Sequence, residues 1–104
     1  MENYKKVCGN KEKVWFEIQP NEGEQFLSWA KELGCVWTNG QEIIPKQGVA
    51  FLHLSIRSDG TLAYVDMITW FSKHSTTKNV EKYVFSEYIK GFRVKPKSYI
   101  VNLQ

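Results

Sequence analysis

The sequence predicts an α+β fold: a single antiparallel sheet of two tight hairpins plus flanking strands, packed on one amphipathic helix over about residues 21–33. Three observations predict it. Asp59-Gly60 sits between the alternating apolar runs of FLHLSIRSDGTLAYVDMITWF, and Asn39-Gly40 sits between shorter ones; Asn-Gly and Asp-Gly in such settings are the strongest short-range hairpin signals. Phe26, Leu27, Ala30 and Leu33 recur at helical spacing, which marks one buried helical stripe. Helix near the start and strands after it favour segregated layers over a parallel βαβ arrangement.

Taken in order, Lys13–Ile18 (KVWFEI) is the first strand, rich in β-branched and aromatic residues and closed by Pro20. Asn21 is the expected N-cap of the helix, with Glu24 completing a capping box and Gly34 ending it. Trp29 falls beside the apolar stripe, at the edge of the core. The Asn39-Gly40 turn is expected to pair Thr38 with Gln41, Trp37 with Glu42 and Val36 with Ile43, and Pro45 ends the second arm. In the main hairpin a two-residue type I′ turn sets Leu52–Met67, Leu54–Val65 and Ile56–Ala63 on one face. Phe51–Ile68, His53–Asp66 and Ser55–Tyr64 fall on the other. A register one residue longer would oppose Leu54 to Tyr64 and mix the faces, so the shorter loop is preferred.

Residues 72–79 form a polar, basic loop. Tyr83–Phe85 reads as a strand, Ser86 caps one helical turn ending at Gly91, and Ser98–Leu103 is an expected edge strand after Pro96. The helix should cover Leu52, Leu54 and Ile56. Phe51, Tyr64, Ile68 and Trp70 are left on the opposite face, too apolar to be fully wetted and in need of cover from the C-terminal third or from a partner.

A chain of 104 residues with 42% hydrophobic and 14% aromatic content supports one domain and one core, 1–104. No apolar run approaches the ~20 residues that span a bilayer, and the polar start lacks the apolar stretch of a signal peptide. No membrane association and a cytoplasmic location are therefore expected. In that compartment Cys8 and Cys35, the only cysteines, are expected to be reduced. No metal-ligand spacing, paired carboxylates or phosphate-cradling glycine loop occurs, so neither a cofactor nor an enzyme is expected. His53, Asp66 and Ser55 do not make a triad: a serine two residues along the same strand lies about 6.5–7 Å away, and no oxyanion hole is evident. A structural His53–Asp66 cross-strand pair is the reading.

Charge is uneven. Residues 1–72 carry seven Lys/Arg against nine Asp/Glu, a net of −2, and residues 73–104 carry seven against two, a net of +5. This basic 73–97 region is a candidate polyanion-facing patch. The expected interaction surface joins Lys73, Lys78, Lys82, Lys90 and Arg93 to exposed Tyr64 and Trp70, with the aromatics supplying most of the binding energy.

Residues 26–43, FLSWAKELGCVWTNGQEI, carry an F-x-x-W-A-x-x-x-G-x-x-W-x-N-G pattern, with KYVFSEYIKG at 82–91 as a second segment. The pattern resembles that of small accessory proteins of phages, prophages and other bacterial mobile elements. The resemblance implies a context and no site residues: a stoichiometric binder of a host protein, including anti-CRISPR-like inhibitors of a defence nuclease, acting in the host cytoplasm. The chain is not acidic enough to mimic DNA. Two other classes compete. One is a nucleic-acid or nucleotide-binding module, with Tyr83, Tyr88, Phe92 or Trp70 stacking on bases. The other is a structural homodimer assembled through an edge strand or the Trp70 face.

Overall fold

Asn3 opens the described chain by capping a short helix, its Oδ1 accepting from the backbone N–H of Lys5 at 2.9 Å and of Lys6 at 3.1 Å. The computed structural model describes residues 3–71 and 80–96. The expected Ser98–Leu103 strand and the 72–79 loop lie outside them. In order come α1 (Tyr4–Cys8), β1 (Lys13–Glu17), a 3₁₀ turn (Pro20–Glu22), α2 (Gly23–Glu32), β2 (Val36–Trp37), a second 3₁₀ turn (Pro45–Gln47), β3 (His53–Arg57), β4 (Thr61–Tyr64), α3 (Met67–Phe71), β5 (Glu81–Val84) and α4 (Phe85–Tyr88). The five strands form one sheet in the order β2-β4-β3-β1-β5.

The α+β class holds, but the sheet is mixed. The β1–β3 and β3–β4 pairs are antiparallel, whereas β5 lies parallel to β1 and β2 parallel to β4. Both expected type I′ turns are replaced by three-residue loops, and the reason is conformational. Among the described residues only glycines have positive φ, while a type I′ turn would put Asp59 or Asn39 there as well. The chain instead leaves the left-handed position to Gly60 (φ 87°) and Gly40 (φ 84°) alone. Gly60 N–H donates to Arg57 O at 3.0 Å and Gly40 N–H to Trp37 O at 2.8 Å. In each loop the Asx side chain accepts from the backbone two residues on, Thr61 N–H at 3.0 Å and Gln41 N–H at 2.9 Å.

The longer loop shifts the β3–β4 register by one. Leu54 faces Tyr64, Ser55 faces Ala63 and Ile56 faces Leu62, the arrangement that the face-sorting argument disfavours. Leu62 takes the helix-side position expected of Ala63 and Val65. Around Asn39-Gly40, the return arm to Ile43 is not a strand; Val36–Trp37 joins β4 instead. The strand expected through Phe71 stops at Tyr64 because Asp66 starts α3. Its Oδ1 accepts from Thr69 N–H at 2.7 Å and its Oδ2 from the Thr69 hydroxyl at 3.1 Å. The expected His53–Asp66 pair is thereby lost.

The main helix starts later than expected and its cap lies earlier. Glu22 Oε1 accepts from Gln19 N–H at 2.7 Å, in place of the Asn21/Glu24 box. Its end is a Schellman motif at Gly34: Cys35 N–H reaches Ala30 O at 3.1 Å and Gly34 N–H reaches Lys31 O at 3.0 Å. Phe26, Leu27, Ala30 and Leu33 are buried against Phe16, Leu54, Ile56 and Leu62. Phe16 is the hub, 5.9 Å from Phe26, 5.3 Å from Trp29 and 5.0 Å from Tyr88 between ring centroids. The opposite face carries a second, smaller cluster of Trp15, Val65 and Trp70 under α3. Helices thus lie on both sides of the sheet.

Candidate functional site

The alternation of side chains along β1 and β5 decides where the expected site residues go. Trp15 pairs with Lys82, and Phe16 with Tyr83; Phe16 belongs to the helix-side core, so Trp15 and Lys82 share the α3 side. Trp70 comes down from α3 onto this side, stacked on Trp15 at 5.6 Å and 19° and 4.3 Å from the His53 ring. It is 2% exposed. The expectation of a surface Trp70 is therefore corrected: α3 turns it inward as a core residue.

Lys82 is no outlying cation. Its Nζ donates to Trp70 O at 2.7 Å and stands 5.5 Å from the Trp15 ring and 5.2 Å from the Trp70 ring. Burial pulls its pKa below the ordinary lysine value. Lys90 lies 3.7 Å from Glu87. The Arg93 guanidinium stacks 3.9 Å from the Tyr88 centroid and 5.9 Å from that of Tyr83. Lys73 and Lys78 lie outside the described residues. Tyr64 belongs elsewhere: its hydroxyl accepts from Ala50 N–H at 2.9 Å, and its ring is 5.3 Å from both Trp37 and Phe51. The described members of the expected surface are thus divided among three places.

The sheet face under α3 is unusually polar for a buried one. His53 Nε2 is 3.2 Å from Glu17 Oε2, across the β1–β3 pair, and both side chains are largely buried. Ser55 Oγ and Trp15 Nε1 are buried and, among the described residues, have no hydrogen-bond partner. Among the described residues no side chain accepts a hydrogen bond from Ser55 Oγ. Lys13 and Arg57 are direct cross-strand partners, and with Trp15 and Ser55 they line a cleft of about 150 Å³. Sequence reasoning missed this quartet because it is assembled by β1–β3 pairing across a long stretch of chain, which leaves no local signal.

A larger apolar cleft of about 520 Å³ opens beside the β3–β4 end, lined by residues 50–53 and 64–67. Phe51 (62% exposed) and Met67 (56%) stand on it, and Ile68 (85%) follows on α3. The sequence marks Phe51 and Ile68 as excess apolar surface, and both are exposed.

Among the described residues no group of three or more His, Cys, Asp or Glu stands together to hold a metal ion, and no helix is long and apolar enough to cross a membrane. No protein-family model, curated protein or solved structure matches this chain.

Proposed function

We propose that the protein is a small non-enzymatic binding protein that acts by occupying a surface of a larger partner protein. The observation that carries this reading is the apolar cleft at residues 50–53 and 64–67, with Phe51, Met67 and Ile68 left exposed around it. Large apolar side chains concentrated at one place on a small domain are what a docking partner buries. The phage-accessory resemblance of residues 26–43 supplies the partner class: a bacterial host protein, with a defence nuclease as one member. The nucleic-acid reading draws less support, since Lys82 is folded under two indoles and Lys90 and Arg93 are engaged locally.

The test is capture of partners from bacterial lysate by the immobilised protein, with and without nuclease treatment, followed by affinity measurement on the purified partner. Replacing Phe51 and Ile68 together by serine should weaken binding by at least a hundredfold through faster dissociation, with Tm unchanged, because neither side chain is in the core. Recovery of nucleic acid alone, or a double variant that binds its partner like the parent, overturns the proposal.

A further inference from the structure

We infer that the small cleft under α3, lined by Ser55 and Trp15 and flanked by Lys13 and Arg57, binds a single phosphate-type oxyanion. Three independent features converge there. Lys13 and Arg57 face one another directly across β1 and β3, an arrangement of like charges that costs stability when nothing lies between them. Among the described residues neither side chain enters a salt bridge; the Lys13 ammonium approaches the Trp15 ring, at 5.8 Å, and the Arg57 guanidinium acts only at longer range, adding to the Thr61 hydrogen bonds that hold the Asp59 carboxyl below the usual carboxylate range. Ser55 and Trp15 are each 2% exposed, and among the described residues their side-chain polar atoms have no hydrogen-bond partner. Buried polar atoms are otherwise almost always paired.

The chemistry of these groups fixes the sign of the ligand. An indole N–H, an ammonium and a guanidinium all donate and none accepts, while a serine hydroxyl does either. A negatively charged group rich in acceptors satisfies both cations, a phosphate meeting the arginine fork especially well, and it reaches the Ser55 hydroxyl and the Trp15 indole N–H, which are closed to solvent in the free protein, as those two side chains turn toward it. Asp66 also lines the cleft, but both its oxygens already hold Thr69. At about 150 Å³ the cleft has room for one tetrahedral oxyanion. A second cleft of about 370 Å³ shares Lys13 and Arg57 and adds Glu12, Ser58 and Asp59. Its carboxylates suit hydroxyl groups, so the oxyanion can come from inorganic phosphate or from a phosphate monoester of a polyol.

Calorimetric titration with sodium phosphate and with glycerol 3-phosphate, against sodium chloride at matched ionic strength, tests the site. Saturable binding of phosphate and a shift of the Trp15 indole N–H resonance are expected, with chloride producing neither. Arg57→Gln and Ser55→Ala should each weaken binding at least tenfold, whereas Lys46→Gln, an exposed charge elsewhere, should not. Tighter binding of the ester assigns the ligand as a phosphorylated small molecule; equal binding assigns it as free phosphate. A response that chloride reproduces, or undiminished binding by both cleft variants, overturns the inference. Ser55→Ala should also raise the Tm of the free protein, which shows that the variant is folded and separates lost binding from lost structure.

Discussion

Lys82 joins three groups that no short-range pattern connects. Its ammonium satisfies the Trp70 carbonyl and lies over both stacked indoles, tying β5 to α3. Replacement by methionine keeps the stem packed against the rings and removes the charge and the donor. Lys82→Met should therefore lower stability by about 1–2 kcal/mol in urea denaturation; a variant as stable as the parent would show that the ammonium contributes nothing net. Individual residues were legible in the sequence where local spacing governs them. The stripe Phe26, Leu27, Ala30 and Leu33 is buried as its periodicity requires. Trp70 was misread because strand alternation and helical spacing both fit the short run Met67–Phe71, and only the Asp66–Thr69 cap settles between them. That cap is itself a sequence signal, an aspartate three residues before a threonine, hidden inside an otherwise persuasive strand.

At the scale of elements, the two glycine loops are one design used twice. Arg57–Thr61 and Trp37–Gln41 share a closing hydrogen bond, an Asx contact and a left-handed glycine. Their surroundings differ. A Cβ on Gly40 would meet nothing within 4 Å, whereas one on Gly60 would come within 3.0 Å of the Tyr4 ring. Gly40→Ala should cost about 1–2 kcal/mol, the ordinary cost of a left-handed alanine. Gly60→Ala should cost more, because the Tyr4 ring must also move; equal losses in the two variants would mean that Tyr4 yields freely. The positions of both turns could be read from Asp-Gly and Asn-Gly, but not their lengths. A dipeptide reports that the chain reverses, while the number of loop residues depends on which of them accepts positive φ. One extra residue then moves every β4 side chain to the other face.

For the molecule as a whole, Cys8 from α1 and Cys35 ahead of β2 lie buried in the main core as free thiols. Cys8 Sγ donates to Ile56 O at 3.4 Å. Burial pushes both thiols up, with smaller contributions from nearby negative charge, and Cys35 reaches about 11. Between pH 9.0, the ordinary thiol value, and about 11, the unfolded chain releases protons that the folded chain keeps. Stability should accordingly fall as pH rises through this window. Tyr83, raised chiefly by burial, acts in the same direction, and Lys82, lowered by burial, opposes it. The thiol part is isolated by comparison with a Cys8→Ala/Cys35→Ala variant, whose urea-derived stability should decline less steeply from pH 9 to 11. Identical slopes would count against buried thiols in the native state. The class and the helix-covered face were readable because they follow from periodicity. The parallel seating of β5 beside β1 was not, since nothing local in Glu81–Val84 specifies Val14–Glu17 as its neighbour.

That late-arriving strand has a consequence for how the protein is made. β1 is near the beginning of the chain, yet one of its two edges is closed only by residues 81–84. While the nascent chain is still shorter than this, the apolar segment Val14–Phe16 has β3 on one side and open backbone on the other. Unpaired edges of this kind recruit strands from neighbouring chains. A stalled ribosome, or a protease cut between α3 and β5, would therefore leave a sticky fragment in place of a smaller working domain. Synthesis of residues 81–84 covers that edge of β1.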